Sequence, residues 1–133
     1  MEEKRFFEAV KENKLAELKS LIRDVDVNVK EEDGMTALMH ASYKGHAEVV
    51  ECLLTNGAAQ HVNVTQKDDY TALMFGTLSG NTDVVQLLLD AGAQTDIVNK
   101  VNRTAAQLGA FVGRHNCVSL INNYVEGDKV RPF

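Results

Sequence analysis

An all-α solenoid of four stacked helix-turn-helix units is the fold class this sequence predicts, and three observations predict it. A small, helix-ending residue recurs at Asn13, Gly45, Gly80 and Gly113, spaced 32, 35 and 33 residues apart. The stretches MTALMHASYKGH (35–46) and YTALMFGTLSGN (70–81) repeat one layout 35 residues apart. Apolar residues after each of these glycines fall on one stripe at helical rather than strand spacing. A period of about 33 residues marks paired helices that cannot bury their apolar faces alone and therefore stack on their neighbours.

The first unit, residues 1–28, is a degenerate copy: FFEAVKENKLAELKSLIRDVDVN (6–28) lacks the leading turn, as a terminal capping unit does. Its acids Glu2, Glu3, Glu8, Glu12 and Glu17 alternate with Lys4, Arg5, Lys11, Lys14 and Lys19. This mixture reads as the solvated outer edge of the stack. The second unit, 29–63, starts its first helix at Thr36, whose hydroxyl can accept a backbone N–H of the new helix. Its second helix carries Val49, Val50, Leu53 and Leu54, and Gly57 closes it with a positive φ. The third unit, 64–96, repeats this with Thr71, the stripe Val84, Val85, Leu88 and Leu89, and Gly92. The fourth, 97–124, repeats it with Thr104 and the stripe Val118, Leu120 and Ile121.

Residues 125–133 read as a tail, open to continuation in a longer protein. Gly57 to Thr71 spans 14 residues against 12 from Gly92 to Thr104, so two extra residues near AAQHVN (58–63) are expected to bulge that turn. Asp69 and Asn102 stand where Gly34 stands in its unit, and both types tolerate the left-handed backbone such a turn needs.

Composition limits the function. Fourteen Lys and Arg against nineteen Asp and Glu give a net charge of −5, which disfavours nucleic acid and anionic lipid as partners. The N-terminal MEEKRFFEAV lacks a signal-peptide layout, and no apolar run approaches the roughly 20 residues that span a bilayer. A cytoplasmic monomer without membrane insertion is expected. Cys52 and Cys117, both in apolar helical patterns, read as buried reduced thiols. His46 reads as structural, His40, His61 and His115 show no metal-ligand spacing, Asp68-Asp69 reads as a solvated turn, and no activated nucleophile is apparent. No metal, cofactor or catalytic residue is assigned.

The stretches DGMTALMHASYKGHAEVVECLLTNGA (33–58), DYTALMFGTLSGNTDVVQLLLDAGA (69–93) and NRTAAQLGAFVGRHNCVSLINN (102–123) resemble ankyrin repeats. Ala37, Ala72 and Ala105 replace the family's proline, and Met39, Met74 and Gln107 its histidine. The resemblance implies a non-catalytic interaction module whose concave face is built from turn tips and the exposed ends of the first helices. Carried onto this sequence, the protein-binding positions are Met35, Tyr43 and Lys44, then Lys67, Asp68, Tyr70, Leu78 and Ser79, then Arg103, Phe111 and Val112. Glu32, Asp33, Lys100 and Val101 lie on the same tips. Shared residues hold units together, so residues that differ between units and point outward are free to meet a partner. The competing reading is that Phe111 and Val112 close the end of the core and Leu78 packs between helices.

Within this class, GMTALMHASYKG (34–45), YTALMFGTLSGN (70–81) and NRTAAQLGAFVGRHNCVSLINNY (102–124) are similar to the ankyrin-repeat and MYND-zinc-finger proteins. That resemblance implies a scaffold or adaptor linked to trafficking of signalling membrane proteins to cilia and to an FKBP-type immunophilin. The finger's clustered Cys and His are not among these residues, so the chain reads as an excised region or a relative without the finger. An alternative from another class is a small enzyme or ligand-binding regulatory domain with a pocket near His40, Asp68 and Tyr70.

Overall fold

The computed structural model describes residues 2–130, with side-chain surroundings described through residue 125. Its described residues form eight α-helices and no strand. They pair as α1 (Glu2–Lys11) with α2 (Leu15–Leu21), α3 (Ala37–Lys44) with α4 (Ala47–Thr55), α5 (Ala72–Ser79) with α6 (Thr82–Asp90), and α7 (Ala105–Phe111) with α8 (His115–Val130). First helices stack in one layer, α1 on α3 on α5 on α7, and second helices in another, α2 on α4 on α6 on α8. The all-α solenoid is thus the observed architecture.

Local chemistry sets each boundary. Thr36, Thr71 and Thr104 are extended and accept the N–H of Met39, Met74 and Gln107 at 3.2, 3.3 and 3.2 Å. Each supplies an acceptor that the first helical turn lacks internally. At Thr104 the cap is reciprocal, because its own N–H donates to Gln107 Oε1 at 2.9 Å. The residues expected to end the first helices all adopt positive φ, from 59° at Asn13 to 81° at Gly113. Asp69 (64°) and Asn102 (65°) share this conformation with Gly34 (85°), so all three tips make the same turn.

The core lies between the two helix layers. Leu53, Leu88 and Leu89 are fully buried, and removing each from water contributes about 1.5–3 kcal/mol. Units are also laced by asparagines. Asn28 Nδ2 donates to Gly57 O at 3.3 Å, and Asn63 Nδ2 donates to Gly92 O at 3.2 Å while its Oδ1 accepts from Gln94 N at 2.8 Å.

Three expectations change. The inward stripe of α8 is Cys117 and Ile121, with Val118 and Leu120 half-buried, because Cys117 and Val118 fall where Val84 and Val85 fall one unit earlier. Cys52 is only half-buried, since it faces a cleft between α2 and α4 beside Leu15, Lys19 and Ile22. Helix α8 carries past residue 124 to Val130, so the start expected for the tail lies inside it. The two extra residues after Gly57 are taken up by a 3-10 turn, Ala58–His61, which tucks Ala58 into the core.

Candidate protein-binding face

The tips are built by side chains as well as turns. Gln66 Oε1 accepts from Asp68 N and Tyr70 N at 2.7 and 3.0 Å, and Asn99 Oδ1 accepts from Val101 N and Arg103 N at 3.1 and 3.0 Å. Successive tips then join through backbone: Lys67 N donates to Asp33 O and Lys100 N to Asp68 O, both at 3.1 Å. This fixes equivalent positions of units two, three and four side by side. Gln66 and Asn99 were not singled out in the sequence, although their equal places before the turn residues Asp69 and Asn102 carried the signal.

None of the eleven expected binding residues is buried. Lys44, Lys67, Asp68, Arg103, Tyr43, Phe111 and Val112 are exposed, and Met35, Tyr70, Leu78 and Ser79 are half-buried. Phe111 is 90% exposed and Tyr43 57%, which removes the reading of Phe111 as a plug for the end of the core. Half-burial of Leu78 reflects a part in packing as well as in the surface. Ser79 is occupied locally, its Oγ donating to Gly76 O at 2.7 Å and accepting from Asn81 N at 3.3 Å.

Phe75 brings two of these residues together. Its ring stacks on Tyr70 with centroids 5.2 Å apart and meets Tyr43 edge-on at 5.8 Å. Such pairs are worth about 0.5–1.5 kcal/mol beyond area burial and hold the rings in place. Tyr43 belongs to unit two, Tyr70 and Phe75 to unit three, so the cluster crosses a unit boundary. Phe75 was missed because it sits where His40 and Leu108 sit in their units, a position outside the turn tips and helix ends expected to form the concave face.

An open cleft of about 630 Å³ extends from Tyr43 along the helix ends, bordered by Lys44, His46, Leu78, Ser79 and Arg114. Arg114 Nε donates to Leu78 O at 3.0 Å. Its chain lies so close over Gly80 that a Cβ there would meet Arg114 Cδ at 2.9 Å. His46 Nε2 donates to Lys11 O at 3.2 Å, which ties α1 to the start of α4.

The three residues of the alternative pocket are engaged separately. His40 Nε2 lies 2.6 Å from Glu31 Oε1 and its ring meets Phe7 edge-on, while Tyr70 stacks on Phe75 and Asp68 is exposed on a tip. Five open clefts of the described surface include none of the three. The described residues contain no cluster of three His, Cys, Asp or Glu suited to a metal, and no helix long and apolar enough to cross a membrane. Burial pushes the thiols of Cys52 and Cys117 above the ordinary cysteine value, which keeps them protonated.

Residues 6–99, well over half of the chain, match the family model for ankyrin repeats in three copies. The chain belongs to the ankyrin-repeat family. Ankyrin repeats are protein-interaction modules, and the stacked pairs, left-handed turns at Gly34, Asp69 and Asn102, and threonine caps above are this family's architecture in the present sequence. Among curated proteins, Dauer abnormal formation protein 25 of Caenorhabditis elegans is 45% identical over 38 residues. That match covers 29% of this chain and 10% of the other protein's length.

Proposed function

We propose that this ankyrin domain is a non-catalytic adaptor or scaffold that grips a protein segment on the face made by Met35, Tyr43, Tyr70, Leu78, Phe111 and their polar neighbours. The observation that carries the reading is the Tyr43–Phe75–Tyr70 cluster, a rigid aromatic patch spanning two units, with Phe111 exposed on a third. Large aromatic anchors held in position lose little freedom on binding and are favoured at interface hot spots. The working unit is the four repeats, helices α1 to α8, acting as a monomer in the cytoplasm. Similarity to the ankyrin-repeat and MYND-zinc-finger proteins supports a more particular role, in delivering signalling membrane proteins to cilia with an FKBP-type immunophilin as a partner.

The test replaces Tyr43, Tyr70 and Phe111 together by alanine and compares proteins captured by wild-type and variant chains. Loss of capture at unchanged thermal stability supports the face. Undiminished capture by a folded variant overturns it and leaves the domain a spacer.

A further inference from the structure

Resting on the binding face just described, we infer that its helix-end cleft takes an acidic peptide segment, with Lys44 and Arg114 receiving a carboxylate beside an apolar residue seated on Tyr43 and Leu78. The chain as a whole is acidic at −5, yet this cleft gathers three cations and one carboxylate: Lys11, Lys44 and Arg114 against Glu12. Two of the four are already neutralised, Lys11 by Glu31 at 3.3 Å and Glu12 by Lys14 at 3.0 Å. Lys44 and Arg114 have no carboxylate at ion-pair distance among the described residues, so the positive charge of the cleft is theirs.

The two cations differ in what holds them. Arg114 is anchored by its Nε bond to Leu78 O and by Gly80 beneath it, which fixes the guanidinium and leaves its terminal nitrogens for a bidentate carboxylate. Lys44 is exposed at the end of α3 next to Tyr43 and can follow the incoming charge. Helix α4 opens at the same cleft with His46 as its cap residue and no side-chain oxygen on its first N–H groups. That adds partial positive charge where an anion would lie. A basic partner would be repelled here. A wholly apolar one would leave both cations facing it without counter-charge.

A displayed library of random 16-residue peptides, selected on the immobilised chain, tests this directly. The expected pool is enriched in Asp and Glu next to an aromatic or aliphatic residue. Lys44→Gln with Arg114→Gln should weaken the selected peptides about two- to thirty-fold, since each exposed charge pair is worth some 0.2–1 kcal/mol and 1.36 kcal/mol is tenfold. Lys44→Gln alone provides a second arm, because it leaves the Arg114 anchor and the fold untouched. Binding of the same peptides should weaken as salt rises from 0.1 to 1 M. A neutral or basic pool, or an acidic one indifferent to both charge variants, overturns the acidic assignment. If that pool is still lost on replacing Tyr43, Tyr70 and Phe111 by alanine, the binding face stands and only its partner chemistry falls. A pool indifferent to the aromatic variant as well overturns both.

Discussion

Units three and four are built to one plan, yet they bury it differently. In α6 all four stripe residues, Val84, Val85, Leu88 and Leu89, are fully buried, whereas α8 buries Cys117 and Ile121, half-exposes Val118 and presents exposed Asn122 where Leu89 would be. The same contrast runs through the first helices. Leu78 at the end of α5 is half-covered, and Phe111 at the equivalent place in α7 stands 90% exposed. A stacked unit gains most of its burial from neighbours on both sides, so identical sequence positions have different energies at the middle and at the edge of the described stack.

Core truncation should break the comparison most strongly. Leu88→Ala removes a fully buried side chain clamped between units and is expected to cost near the top of the roughly 2–5 kcal/mol range for such changes. Ile121→Ala, one unit later in the same register, should cost near the bottom, because α8 can relax toward its open side. Equilibrium denaturant unfolding of the two variants checks the order. Equal losses would mean that edge and middle are equally rigid.

Next in size is Gly109→Ala. A Cβ there would lie 2.7 Å from Thr77 Cγ2 and 3.0 Å from Val118 Cγ2. Thr77 cannot swing away, being fully buried with its hydroxyl donating to Leu73 O at 2.8 Å. Overpacking of about 1–3 kcal/mol therefore outweighs the gain of up to about 1 kcal/mol in helix propensity. The damage should be local. Hydrogen exchange is expected to accelerate in α7 and α8 while α3 to α6 keep their protection.

The caps sharpen the contrast at smaller scale. Thr71→Ala and Thr104→Ala each remove one acceptor for a helix N-terminus, a loss of about 0.5–2 kcal/mol. Thr71 is buried, so its variant leaves the Met74 N–H without a partner or water, and it should fall at the upper end. Thr104 is half-buried, and water can replace its hydroxyl. Thermal denaturation should show the larger drop in Tm for Thr71→Ala.

How much of this was legible depends on whether a residue acts within its own unit or across units. Thr36, Thr71 and Thr104 bond three residues along, and Asn13, Gly45, Gly80 and Gly113 bend their own backbone, so a single repeat discloses them. The outward placement of Tyr43, Lys44, Phe111 and Val112 followed from the same register. Phe75 and Arg114 were not legible, because each acts on another segment. Phe75 reaches Tyr43 of the preceding unit, and Arg114 reaches 36 residues back to Leu78 O. Cys52 and Leu120 were misplaced for a related reason: an apolar residue in a helix pattern gives its spacing, while the neighbouring helix decides whether it is covered.

The smallest effect tests the edge itself. Phe111→Ser replaces a ring that touches mostly water, and surface changes of this kind lie within about ±0.5 kcal/mol. Its exposure is the reverse of what stability alone would favour, since an exposed phenyl ring adds no burial and leaves an apolar surface open to association. Leu78→Ser, half-covered at the equivalent place, should lose measurably more, because that side chain contributes buried area. Urea unfolding of the two variants separates the positions. If Phe111→Ser destabilised the chain as much as Leu78→Ser, the ring would be covered in solution, and the contrast between an enclosed middle and an open edge would not hold.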